Sequence, residues 1–238
     1  MPDSEDGGLR TEDGGFAPAP CAGVGVQATE DRGRKTEDGG HMPAPGAGTQ
    51  SQSTVLSPQA PAEARVFFAL WPDAAVRDAL DRLAGALHRL RGGRRTRAET
   101  LHLTLVFVGN LLRERLPALQ AAAAGIQAPA FTLTLDRTDC CPHNRIAHAT
   151  ASQTPAALLD LVAALEQGLD GLGIPFDHRP YKAHVTLLRK ADCRRANPPI
   201  APIDWHAREF VLVESALNAD GARYAIQGRY PLVSTAQR

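Results

Sequence analysis

Two short stretches of the chain carry the same polar pair in the same apolar frame: Leu101-His102-Leu103-Thr104-Leu105 and Ala183-His184-Val185-Thr186-Leu187. In an extended strand alternate residues share a face. His102 and Thr104 therefore point one way while Leu101, Leu103 and Leu105 point the other. His184 and Thr186 are set apart from Ala183, Val185 and Leu187 in the same manner. Two imidazoles titrate near neutral pH, so one can deliver a proton to a leaving oxygen while the other takes one from attacking water. Two threonine hydroxyls supply neutral donors for the non-bridging oxygens of a charged centre. The set suits displacement at phosphorus without a metal, and the cyclic phosphodiester of an RNA end is an obvious substrate. One His-x-Thr says almost nothing, because a lone strand histidine is usually an ordinary core or surface residue. Two of them, each followed by Leu in equivalent surroundings, say much more. A metal site is not expected: each strand offers one good ligand, and no Cys-x2-Cys or His-Glu-x-x-His pattern exists. Cys140, Cys141, His143 and His148 crowd together, but no second cluster of matching spacing completes a zinc site.

The elements that must hold these pairs are legible around them. Val66 to Leu70 is a short apolar run that reads as a buried strand, ended by Trp71-Pro72-Asp73. Asp73 can cap the helix that follows. Val76, Leu80, Leu83, Leu87 and Leu90 recur at helical steps, and Gly92-Gly93 stops the helix. Leu101 to Val108 is the next strand, ended by Gly109-Asn110. A second unit repeats this order. Ile146 to Ala151 is a weak strand, Thr154-Pro155 starts a helix with proline at its first position, and Leu158, Val162, Leu165, Leu169 and Leu172 form its stripe. Gly171 and Gly173 end it, and Ala183 to Arg189 is a strand. Every stripe position and the histidine itself recur at an offset of 82 residues, which argues for two equivalent halves. Packed about a pseudo-twofold axis, they would bring both His–Thr pairs to one cleft. Between the halves lie a helix over 116–124 and an alternating strand over 131–135. Phe210 to Val213 and Tyr224 to Ile226 then form a hairpin about Asn218-Ala219-Asp220-Gly221. The expected architecture is α+β and bilobal: antiparallel sheets line a central cleft and helices lie outside. The halves are expected at about 63–125 plus the C-terminal strands, and at 126–205.

The chain has 238 residues and a net charge of zero, but the zero is an average. Residues 1–62 hold 4 basic and 9 acidic residues; residues 63–238 hold 22 and 17. A mildly basic body behind an acidic tail fits an anionic partner. The tail holds 11 of the 21 glycines and 7 of the 18 prolines, and it has no hydrophobic period. Its repeat, Thr11-Glu12-Asp13-Gly14-Gly15 and Thr36-Glu37-Asp38-Gly39-Gly40, has no apolar face to stack. It reads as a disordered segment, with a short binding motif as the other reading and no identified partner. The sequence is also compatible with translation starting at Met42. Cys21, Cys140, Cys141 and Cys193 show no disulfide spacing, and a bridge between adjacent cysteines would be strained, so a reducing, cytoplasmic setting is expected. No apolar run approaches the roughly 18 residues of a membrane span, and a signal peptide is not expected, since the N-terminus lacks the charged-then-apolar order of one.

The paired motifs resemble those of the 2H phosphoesterase superfamily, and most nearly its RNA 2′,3′-cyclic phosphodiesterase branch, once called 2′–5′ RNA ligases. The resemblance covers about residues 65–234. It rests on Arg65-Val66-Phe67-Phe68-Ala69-Leu70, on Glu99 through Gly109, on Arg179-Pro180-Tyr181-Lys182-Ala183-His184-Val185-Thr186-Leu187, and on Phe210 through Ser215 with Gly221 through Tyr224. It implies His102 as proton donor and His184 as proton acceptor. Thr104 and Thr186 would hold the phosphate, no metal or other cofactor would be required, and the product would be a 2′-phosphomonoester. The chain departs from the family pattern at Arg95-Thr96-Arg97 and at Cys140-Cys141-Pro142, where aromatics are usual. Joining of RNA ends, action on another cyclic phosphate, and a non-catalytic RNA-binding module remain open at this stage.

Several neighbours have two readings each. Arg89, Arg91, Arg94, Arg95 and Arg97 either attract an RNA backbone or form a solvated loop. Arg179 is a phosphate contact or a salt-bridge partner. Tyr181 stacks on a base or fills the core. Lys182 shares the strand face of His184 and adds positive potential at the cleft, or stands in water at its rim. The expected partners are RNA ends or cyclic nucleotides, bound by a monomer with no membrane association.

Overall fold

The computed structural model describes residues 62–218 and 221–234, so the tail expected to be disordered lies outside the described residues. Strand β1 (Glu63–Leu70) opens the fold. Its Val66, Phe68 and Leu70 enter the main core, while Phe67 and Ala69 face the other way into a smaller cluster with Val211 and Val213. Both faces of β1 are covered, which is why it reads as a continuous apolar run rather than an alternating one.

Helix α1 (Ala74–Arg91) begins where Asp73 accepts a hydrogen bond from the Val76 amide at 2.9 Å, a cap that contributes about 1 kcal/mol. Its buried positions are Val76, Leu80, Ala84, Leu87 and Arg91. The expected stripe is thus corrected at its last position: Leu90 is 38% exposed and Arg91 is buried. The reason is chemical as well as geometric. The Arg91 guanidinium donates to the carbonyls of Asp192 and Ala196 and to Oδ1 of Asn197, so the charged end is satisfied inside. Strand β2 (Arg94–Arg95) follows. Gly93 (φ +84°) lets it lie close to the neighbouring chain, since a Cβ there would stand 2.6 Å from the Arg189 carbonyl oxygen.

Strand β3 (Leu103–Leu112) carries the first motif. It does not end at Gly109. That glycine, at φ +86°, belongs to a β-bulge that adds Val108 opposite β1, and pairing runs on to Leu112. Helix α2 (Leu116–Ala124) and strand β4 (Phe131–Leu135) fall where expected. Strands β5 (Arg137–Cys141) and β6 (Ile146–Thr150) form a hairpin. Helix α3 (Ala156–Gly171) has Pro155 at its N-cap rather than inside the first turn. Strand β7 (His184–Arg189) carries the second motif, and β8 (Ile203–Ala207), β9 (Glu209–Asn218) and β10 (Gly221–Pro231) complete the chain, the last two pairing as the anticipated hairpin. The sequence reading passed over β5 and β8. Arg-Thr-Asp-Cys-Cys has little strand propensity and is held extended by its partner β6; β8 is held by β4 in a separate two-stranded sheet.

The main sheet runs β10-β9-β1-β3-β7-β6-β5, with β2 also paired to β7. It is α+β in class, with two half-sheets joined at the centre. Only one registered pair, Leu103 with Val185, links β3 to β7. Helix α1 packs against β7 and α3 against β3, so each half covers the motif strand of the other. No helix among the described residues is long and apolar enough to cross a membrane.

The cysteine expectation is corrected. Cys140 and Cys193 are joined by a disulfide across 53 residues. Sequence spacing hides this because β5 and the segment after β7 become neighbours only through the β5-β6-β7 sheet.

Candidate active site

In an antiparallel pair, residues directly opposite share a face. Leu103 and Val185 are such a pair, and both are fully buried in the main core. Their neighbours His102, Thr104, His184 and Thr186 therefore all emerge on the opposite face, side by side at the centre of the sheet. All four line one cavity of about 350 Å³, the size of a small-ligand site.

Both imidazoles are held in the same way. His102 Nδ1 lies 2.7 Å from the Thr100 carbonyl oxygen and His184 Nδ1 lies 2.8 Å from that of Lys182. A carbonyl only accepts, so Nδ1 carries the proton in each ring and Nε2 is left for chemistry. Burial pushes His102 down to about 4, aided by the charges of His184 and Arg189 and opposed by its bond to Thr100. Burial lowers His184 as well, against the bond to Lys182.

A second feature of the motifs emerges only in the fold. Leu105 is an extra residue opposite β1, and Leu187 is an extra residue opposite β6. These bulges are themselves 82 residues apart. Each reverses the strand's alternation, so Phe107 and Arg189, not their neighbours, return to the cleft face and line the cavity. The two ends of the site thereby differ. Phe107 lies beneath the Arg65 guanidinium, 5.0 Å from the ring centre. Arg189 stands directly opposite Arg94 across β2 and β7, and its side chain makes no hydrogen bond or ion pair among the described residues. Like charges placed opposite one another are unfavourable unless an anion joins them. Arg95 and Arg97 also line the cavity, each tied to an acidic residue, Asp81 and Glu99. No Asp or Glu is among the lining residues, and Thr96 Oγ1 is buried there without a partner.

The flanking residues anticipated from sequence lie elsewhere. Arg179 is exposed and clasps Asp177, whose carboxyl that contact holds below the usual range. Tyr181 packs against the main core, where burial raises its hydroxyl well above the ordinary value. Lys182 is exposed, and its backbone carbonyl rather than its ammonium serves the site by anchoring His184. None of the three lines the cavity. Arg65, Phe67, Phe107, Arg189 and Tyr224 do, and sequence reasoning missed them. The signals toward this wall are the arginine-rich loop before His102 and the family-like segments that contain Arg65, Phe67, Phe107 and Tyr224.

The model of LigT-like phosphoesterases matches this chain twice in succession, over residues 70–148 and 149–224, one motif falling in each match. The chain belongs to the LigT-like phosphoesterase family. This LigT-like phosphoesterase is 32% identical over 170 residues to the RNA 2′,3′-cyclic phosphodiesterase of Escherichia coli (strain K12), covering 71% of this chain and 96% of that one. It is 31% identical over 179 residues to the enzyme of that name from Thermus thermophilus, covering 71% and 90%. Among solved structures, E. coli LigT complexed with 3′-AMP matches with a TM-score of 0.67 at 31% identity, over 71% of this chain and 98% of that one. The double match agrees with the 82-residue offset: the LigT-like phosphoesterase is two related units closed on a shared site.

Proposed function

We propose that this phosphoesterase hydrolyses the 2′,3′-cyclic phosphate at RNA ends to a 2′-phosphomonoester, without a metal, by general acid–base catalysis. One observation carries the reading. The Leu103–Val185 register puts two histidines and two threonines on one face, in a cavity walled by arginines and lacking carboxylates. His184 Nε2 takes a proton from water as the water oxygen bonds to phosphorus. The bond from phosphorus to the 3′ oxygen breaks, and His102 Nε2 gives that oxygen its proton. Thr104 and Thr186 donate to the non-bridging oxygens, and Arg189 balances the charge that gathers there. The absence of carboxylates from the wall favours an anion over a hard divalent cation such as Mg2+ or Ca2+, whose usual ligands are oxygens. The names of the relatives support the substrate class.

The test is hydrolysis of an oligoribonucleotide ending in a 2′,3′-cyclic phosphate, in excess EDTA, with the product assigned. Turnover persists and the phosphate is found on the 2′ oxygen. Loss of activity in EDTA restored by a divalent metal, or a 3′-phosphate product, contradicts the reading. Ligation of 2′,3′-cyclic and 5′-hydroxyl ends in the same assay separates joining from hydrolysis.

The lowered histidines set a pH dependence. His102 must be protonated and His184 neutral. Above both of their values His184 is already neutral, and the protonated fraction of His102 falls tenfold per pH unit. Hence kcat/KM rises as pH falls from 7.5 through 6.5, with its optimum below 6.5. A bound phosphodiester anion favours the imidazolium, so the kcat profile lies at higher pH than that of kcat/KM. An optimum of kcat/KM above pH 7.5 contradicts the assignment.

A further inference from the structure

The two motifs are nearly identical, yet acid–base catalysis needs their histidines to differ. Their surroundings do differ. The His102 ring is enclosed by three aromatic rings. Trp71 lies parallel to it, at 5.5 Å between centroids and 6° between planes. Phe67 is tilted against it at 5.0 Å, and Tyr224 stands at right angles at 5.2 Å. Tyr224 also meets Phe67 and Trp71 edge-on, so the four rings form one closed group. His184 has no such enclosure. Its one ring neighbour among the described residues is His148, at 5.3 Å. The equivalence of the halves makes the contrast sharper. Trp71 follows Leu70, which pairs with Leu103, and so stands beside His102; in the second half the residue paired with His184 is Thr150, whose hydroxyl donates to the Ala183 carbonyl.

We propose that Trp71, with Phe67 and Tyr224, is a positioning residue that supports the protonated form of His102 and so offsets part of the cost that burial sets against its role as proton donor. The inference rests on the acid–base reading above. The face of an aromatic ring carries negative quadrupolar charge, and a cation within about 6 Å of it is attracted, most strongly by indole and in desolvated sites. The groups facing His102 are Phe67 and Trp71 from β1 and its end, Tyr224 from β10, the Thr100 carbonyl, and His184 and Arg189 from β7. None of these is a carboxylate. Burial, His184 and Arg189 oppose the imidazolium; the Thr100 carbonyl and the aromatic faces are what favour it. Trp71 is not among the residues lining the cavity. It acts through His102 and does not touch substrate.

The experiment incorporates mono-, di-, tri- and tetrafluorinated tryptophan, which preserves ring shape while withdrawing charge from its face. The chain has two tryptophans, and the other, Trp205, belongs to the β4–β8 sheet and makes no ring contact with a histidine among the described residues. The titration of each histidine is followed by imidazole NMR, with His102 assigned by its loss in His102→Gln. The pKa of His102 falls stepwise with fluorine content, by about half to one pH unit over the series, while that of His184 stays constant. At pH 7 kcat/KM declines in parallel. A His102 value that does not move across the series overturns the proposal. Should the fluorinated chain fail to fold, Trp71→Phe and Trp71→Tyr ask the same question, with both expected to lower the value. The titration needs no turnover. An inactive protein with a shifting His102 would sink the acid–base reading and leave the enclosure standing; an active one with a constant His102 would do the reverse.

Discussion

Alanine at His184 or at His102 lowers kcat/KM toward a 2′,3′-cyclic phosphodiester by roughly 10²–10⁴-fold each, the usual contribution of a positioned acid or base. Both rings are anchored through Nδ1 to the carbonyl two residues earlier, so Nε2 of each is fixed toward the cavity. Removing either leaves the opposite proton transfer without its counterpart. The double variant is therefore expected to be scarcely worse than the poorer single one, because residues that act as a unit are not additive. Neither histidine belongs to the main core, so the losses come with folded protein. His102→Gln, which refills the space between Phe67, Trp71 and Tyr224, serves as the stability control. Initial rates with and without saturating substrate decide the matter. More than half the activity retained in either alanine variant would exclude that histidine from the chemistry.

The second large effect belongs to a residue outside the motifs as first read. Arg189→Ala is expected to cost about 10²-fold in kcat/KM, the scale of losing one charged donor to a developing oxyanion. Arg189→Lys recovers part of that, since an ammonium keeps the charge but not the fork. The argument is the placement of Arg189 on the cleft wall opposite Arg94, with no ion pair of its own among the described residues. A secondary effect runs the other way. The charge of Arg189 depresses His102, so its removal raises the His102 value and moves the kcat/KM profile toward neutral pH. The loss should therefore be larger at pH 5.5 than at pH 7.5. Arg179→Ala, by contrast, breaks only an exposed pair with Asp177 and should change turnover less than about threefold. Equal losses at Arg179 and Arg189 would contradict this assignment of the phosphate contact.

Much of the molecule is legible before any fold is known. The three helices, the strands that carry the two motifs, the Asp73 cap, the C-terminal hairpin and the orientation of His102, Thr104, His184 and Thr186 all follow from local rules: period two, period 3.6 and turn chemistry. Each half is legible locally, and the duplication then shows as a constant offset of 82 residues between the two local patterns. These properties depend on residues a few positions apart, so composition and spacing suffice. The remainder depends on which strands meet. The bulges at Leu105 and Leu187 reverse the facing of the residues that follow them, and nothing in Leu announces a bulge; hence strict alternation does not place Phe107 and Arg189 on the cleft face, and Lys182 lies before the strand begins at His184. The bond between Cys140 and Cys193 needed β5 beside the segment after β7. Burial of Arg91 needed three acceptors that the chain supplies about a hundred residues later. Residue types and spacing alone thus set two histidines and two threonines on common strand faces, the set we propose for work on a phosphodiester. Tertiary structure decided which arginines wall the cavity and which aromatic rings surround one histidine, because charge and π contact act through space, at distances that only strand register sets.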